Sequence, residues 1–218
     1  MTKVYLIRHP EAIGNRDRIF QGSSDLDVTE KGQKQLECLT KRFKNIPIDV
    51  IYSSPQIRAY KTALAVKGTH NINIIKMDDL RELDGGVFEG KAWQTLDEEF
   101  KDEMFLWNTK PHLFKAEGGE SMEHVFNRVT SALNKIIREN DGKTVVITSH
   151  GCSLRNMHCY LSGNSFENLY TIPWVDNTGV TYVECGKNNK IIYQNDLSHL
   201  TPEIMPQKRR STIYYEKE

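Results

Sequence analysis

A chain of 218 residues is long enough to bury roughly 70% of its unfolded surface, and one domain over residues 1–218 suits it better than two. Hydrophobic residues are 38% and charged residues 27%, with 29 Lys and Arg against 29 Asp and Glu. That balance excludes a disordered acidic or basic tail protein and gives no electrostatic case for nucleic acid.

No apolar run approaches the ~18 residues of a membrane span, and the chain runs from Met1-Thr2-Lys3 straight into a strand-like segment without a leader. The four cysteines (Cys38, Cys152, Cys159, Cys185) make no Cys-x-x-Cys pair and read as reduced thiols. The expectation is a cytoplasmic protein.

In chain order, Lys3–Arg8 is a β-branched apolar run, as in a strand buried on both faces. A polar loop broken by Gly14 and Gly22 follows. Thr29 then caps a helix carrying Leu36, Leu39 and Phe43, closed by Pro47. Ile48–Ser53 is a second strand, and Pro55 suits the first turn of a helix running to about Lys67. Asn73–Met77 is a third strand, with an extended approach from Met77 to Leu80. Asp84-Gly85-Gly86 is a turn, Trp93–Phe100 a helix and Pro111–Gly119 a loop. Ser121 caps a long helix to Arg138, with Val125, Val129, Leu133, Ile136 and Ile137 along one side, stopped at Asn140-Asp141-Gly142. Lys143–Ser149 is the clearest strand, and helix resumes at Gly151. Gly179–Cys185 and Lys190–Leu197 flank a polar turn and read as an antiparallel hairpin, and residues 206–218 as a loose charged tail. Alternating strands and helices predict a three-layer α/β/α fold around a mostly parallel sheet.

In such folds ligands sit beyond the carboxyl ends of the strands. Those ends carry Arg8-His9, then Ser53-Ser54-Pro55 with Arg58 on the next helix, and His150-Gly151. Two arginines imply a dianion such as phosphate. The remaining histidines (His70, His112, His124, His158, His199) show no metal-ligand spacing, and no metal or cofactor is expected. Lys208-Arg209-Arg210 reads as solvated charge. Trp93, Trp107 and Trp174 suit either a pocket mouth or the core.

The segment Leu6-Ile-Arg-His-Pro-Glu-Ala-Ile-Gly-Asn15 resembles the signature of the histidine phosphatase superfamily, which includes cofactor-dependent phosphoglycerate mutases. The resemblance continues in family order through Gln21-Gly22, Asp27–Gly32, Ser53–Ala59, Leu80–Gly90, Gly118–Ser121 and Ser149–Gly151. It implies a phosphoglycerate mutase-like fold and a phosphohistidine formed on His9. Arg8, Arg58 and His150 would hold the phosphoryl oxygens, Glu82 would act as proton donor, and Asn15 and the Gly151 amide would add phosphate contacts. Glu11 and Glu89 are rival acids. Two departures stand out: Pro10 replaces the usual Gly, removing an N–H, and Ala12 replaces a common Ser or Thr.

Mutases of this family resemble one another in Asn-Glu-Arg-His-Tyr-Gly around the donor and in a long insertion after it. Here Arg81-Glu82-Leu83-Asp84 stands instead, and only 35 residues separate Glu82 from Gly118. The resemblance is therefore to the phosphatase branch: a phosphoric monoester hydrolase of histidine acid phosphatase type acting on a small phosphorylated metabolite. A phosphoglycerate mutase and a non-catalytic phospho-ligand module are the alternatives. Neither the substrate nor the oligomeric state follows from the sequence.

Overall fold

The computed structural model describes residues 1–207. Strand β1 (Thr2–Arg8) leads through a single helical turn, α1 (Ile13–Arg16), to helix α2 (Glu30–Phe43), where the Thr29 hydroxyl accepts the Gly32 N–H as an N-cap. Strand β2 (Val50–Ser53) precedes helix α3 (Ile57–Lys67), and strand β3 (Ile74–Lys76) is short and largely exposed. Helices α4 (Trp93–Glu99) and α5 (Lys101–Thr109) are consecutive. Helix α6 (Met122–Glu139), capped by Ser121, feeds strand β4 (Thr144–Ser149) and helix α7 (Gly151–Leu161). Strands β5 (Val180–Cys185) and β6 (Lys190–Asp196) form the antiparallel hairpin.

The sheet order is β3-β2-β4-β1-β5-β6, with β1, β2, β3 and β4 mutually parallel. Alternation along the strands divides the core. Ile7, Ile51, Val146 and Val180 face α2 and α3, while Val4, Leu6, Val145 and Ile147 face α6 and α7. This is the expected α/β/α arrangement. No helix among the described residues is long and apolar enough to cross a membrane, and all four cysteines are free thiols.

Three expectations need correction. Pro55 precedes α3 instead of entering its first turn. Gln56 is the extended N-cap residue, and Asp25 from a neighbouring loop accepts the Ile57 N–H at 2.7 Å. The approach to Glu82 is a 3-10 turn, Asp78–Leu80, because Leu80 and Arg81 return their N–H groups to Met77 and Asp78. Helix α5 fills a stretch where no element was expected. Of the expected tail, residues 208–218, including Lys208-Arg209-Arg210, lie outside the described residues.

Candidate active site

Beyond the carboxyl ends of β1 and β4 lies a cavity of about 280 Å³ whose lining includes Arg8, His9, Asn15, Glu82 and Gly151. The ladder continues one residue past each strand end: His9 donates its N–H to the Ser149 carbonyl at 3.0 Å and Ser54 to that of Thr148 at 3.0 Å. Parallel pairing of β1 and β2 with β4 thus sets His9 beside His150 and Ser54 one residue back, beside Ser149. The rings of His9 and His150 lie 5.2 Å apart.

The tautomer of His9 follows from its partner. Its Nδ1 lies 2.7 Å from the Pro10 carbonyl oxygen, which can only accept, so Nδ1 carries the hydrogen and the neutral ring has its lone pair on Nε2. Pro10 therefore costs the loop an N–H and keeps the acceptor that orients the His9 ring. Asn177 fixes the same loop, donating to the His9 and Pro10 carbonyls at 3.0 Å each. No sequence block contained Asn177. Its signal is the Asp176–Gly179 turn, because an antiparallel β5 begins where the parallel β1 ends.

His150 is fully buried. Ser54 Oγ accepts from the Gln56 N–H and is hydrogen-bonded to His150 Nε2 at 2.8 Å. Burial, reinforced by the Arg58 guanidinium, pushes its pKa well below 6.5, so the ring is neutral at pH 7. Arg58 is also fully buried and does not line the cavity: Nη1 and Nη2 donate to the Ser24 and Gly22 carbonyls. Burial lowers its pKa to about 10, which leaves it cationic at neutral pH. Arg8 donates from Nη1 to the Val175 carbonyl at 2.8 Å, and a Cβ on Gly151 would stand 3.4 Å from its Nε. Arg8 Nε, Arg58 Nε and His150 Nδ1 are buried nitrogens with no hydrogen-bond partner among the described residues. Such groups are rare in native proteins and costly without a partner.

The three candidate acids separate by their partners. Glu82 reaches the N-terminus of α7, where its carboxylate accepts the N–H groups of Cys152 at 2.9 Å and Ser153 at 3.1 Å. It lines the cavity beside Arg8 and His9. Glu11 is tied to α2 through the Thr29 hydroxyl and Lys31. Glu89 is a clamp that accepts the N–H groups of Gly22, Ser23, Ser24 and Gly85 together with the Ser24 hydroxyl. Although burial opposes it, that set of donors holds the Glu89 pKa below the usual carboxylate range. Asn15 lines the cavity, but its Oδ1 is engaged by the Ala12 N–H and by Asn177. Phe20, Trp93, Met104, Trp107 and Trp174 also line the cavity. Trp107 and Trp174 stack at 5.6 Å, so the tryptophans both line the cavity and pack as core.

An α/β sheet with histidines and arginines converging at its carboxyl edge is the architecture of a phosphoryl-handling enzyme. A model of the histidine phosphatase superfamily (branch 1) matches residues 4–196, and the chain belongs to that family. Phosphoserine phosphatase 1 of Hydrogenobacter thermophilus is 31% identical over 198 residues, covering 91% of this chain and 93% of the relative. A protein of Cronobacter sakazakii named "Probable phosphoglycerate mutase GpmB" is 36% identical over 155 residues, covering 71% and 72%. Among solved structures, YhfR of Bacillus stearothermophilus is 31% identical with a TM-score of 0.86, over 91% of this chain and 99% of that one. The chain is a phosphomonoesterase of small phosphorylated metabolites.

Proposed function

We propose that hydrolysis runs through a phosphohistidine on His9, with Glu82 as the proton donor. The observation that carries this reading is the set of buried nitrogens without partners, Arg8 Nε, Arg58 Nε and His150 Nδ1, beside an imidazole held by the Pro10 carbonyl; with the Ser54 hydroxyl donating to His150 Nε2, its Nδ1 is a donor. Phosphate oxygens would satisfy them. His9 Nε2 attacks phosphorus, the P–O bond to the alcohol breaks, and the Glu82 carboxyl protonates the leaving oxygen. Glu82 then takes a proton from the water that cleaves the N–P bond, returning neutral His9 and inorganic phosphate. The guanidinium groups and the α7 N-terminus oppose the charge on the transferring group. Asn15 and the Gly151 amide contribute at the edge of the same anion site. In its histidine nucleophile and carboxyl donor the enzyme corresponds to the histidine acid phosphatase type.

The substrate we infer is the phosphate ester of a small hydroxy acid, phosphoserine foremost. Three features support it: a cavity of about 280 Å³, a second lining guanidinium on Arg18 that can meet a carboxylate, and the similarity to a phosphoserine phosphatase. One domain in the reducing cytoplasm is the setting that the free cysteines favour.

The test is a panel of phosphoserine, phosphoglycerates, sugar phosphates and nucleoside monophosphates, assayed with EDTA. Phosphate release fastest from phosphoserine supports the reading. Bisphosphoglycerate-primed isomerisation of 3-phosphoglycerate with little free phosphate would show a mutase instead.

A further inference from the structure

The segment that carries Glu82 is held by side chains outside any strand ladder. Arg128, on α6, donates from Nη1 to the carbonyls of Asp79 at 2.9 Å and Arg81 at 2.8 Å, and from Nη2 to that of Glu82 at 3.1 Å. The remaining carbonyl of the segment, Leu80, accepts from Ser149 Oγ at 2.7 Å. One guanidinium therefore binds three of the four carbonyls from Asp79 to Glu82. The guanidinium is itself fixed by a bidentate pair with Glu120, both contacts at 2.9 Å, and Glu120 Oε2 also accepts the Asp84 N–H at 3.0 Å. Both side chains are largely buried, 11% and 17% exposed. The clamp thus grips the chain on either side of Glu82.

We propose that Arg128, locked by Glu120, is the positioning residue for the proton donor. This rests on the assignment of Glu82 as that donor. A general acid must stand within about 2.6–3.2 Å of the leaving oxygen, and a misplacement of about 1 Å can cost 10²-fold. Arg128 is suited to the task because a planar fork reaches several carbonyls at fixed angles, which a lysine ammonium on a flexible stem cannot do. It does not line the cavity, and its hydrogen bonds go to Glu120 and to the carbonyls of Asp79, Arg81 and Glu82.

The experiment compares Arg128→Gln, Arg128→Lys and Glu120→Gln, each alone and combined with Glu82→Gln, on phosphoserine and on p-nitrophenyl phosphate. Each single Arg128 variant is expected to lose about 10- to 10²-fold in kcat on phosphoserine and no more than about threefold on the aryl ester, with KM within about threefold. Glu120→Gln, which keeps one acceptor, shows the same pattern more weakly. In the Glu82→Gln background, Arg128→Lys adds no further loss that depends on the leaving group. If Arg128→Gln fails to fold, Arg128→Lys and Glu120→Gln carry the comparison.

Equal losses on both esters, an effect confined to KM, or full additivity with Glu82→Gln would overturn the positioning role while leaving the donor assignment intact. Absence of leaving-group dependence in Glu82→Gln itself would overturn the donor assignment and this proposal together.

Discussion

The carboxyl of Glu82 and the imidazole of His9 line one cavity, yet the protein treats them differently. His9 is oriented by a carbonyl that fixes the hydrogen on Nδ1, whereas Glu82 is aimed by N–H groups at the start of α7. A donor matters most when the leaving alkoxide is poor, since nitrophenolate departs almost without help. Glu82→Gln is therefore expected to slow phosphoserine hydrolysis about 10²- to 10⁴-fold and p-nitrophenyl phosphate much less, measured as kcat on the two substrates. Glu11→Gln, whose carboxylate serves α2, should lose little on either. A larger, leaving-group-dependent loss in Glu11→Gln would move the donor to that residue. The placement of Arg8, His9 and His150 at the carboxyl ends of strands was legible in the sequence, because each follows a clear apolar strand run. Asn177 and Arg128 were not legible: each acts on backbone carbonyls far away in the chain, and a side chain's choice of carbonyl leaves no local pattern.

The turn from Gly22 to Ser24 shows how elements far apart in sequence assemble the site. Its carbonyls accept from Arg58 and Gln56, and its N–H groups point at the Glu89 carboxylate. Glu89 also binds the Gly85 N–H, so it ties this turn to the loop after Glu82. The next residue, Gly86, has φ +51, and a Cβ there would stand 2.0 Å from the Glu117 carbonyl oxygen, so close approach and backbone both require glycine. Glu89→Gln exchanges a charged acceptor of several donors for an amide. It should lower Tm by about 3–12 °C, from about 1.5–3 kcal/mol at 2–4 °C per kcal/mol for a chain of this size. Activity should fall on alkyl and aryl esters alike. Calorimetry beside the two-substrate assay checks this, and an unchanged Tm would contradict the clamp. Helices α2 and α6 were legible from apolar periodicity behind their Thr29 and Ser121 caps, and the strands from β-branched apolar runs. Helix α5 was not, because its N-cap is Phe100, without a side-chain cap, and only Met104 and Trp107 are buried along it. Tertiary packing of Trp107 against Trp174, Phe114 and Phe20 supplies what local pattern lacked.

Across the whole molecule, burial of neutral histidines couples stability to pH. Burial lowers the His158 and His199 pKa values to about 4, and that of His150 well below 6.5. The unfolded chain binds these protons first as pH falls, so the stability they provide is complete above about pH 6.5 and is lost between there and about pH 4. His158 alone accounts for about 3 kcal/mol at 1.36 kcal/mol per unit. Urea midpoints should fall steadily from pH 7 to pH 4.5, with a shallower slope in His158→Asn, and a flat profile would contradict the buried neutral state. The most direct measurement of the central claim is a rapid-quench experiment under non-acidic conditions during turnover of phosphoserine, read by intact mass and peptide mapping. The expected result is an acid-labile phosphoryl group on the peptide containing His9, absent from His9→Ala, which should also be inactive. Turnover without that adduct, an adduct on another residue, or hydrolysis surviving in His9→Ala would contradict it.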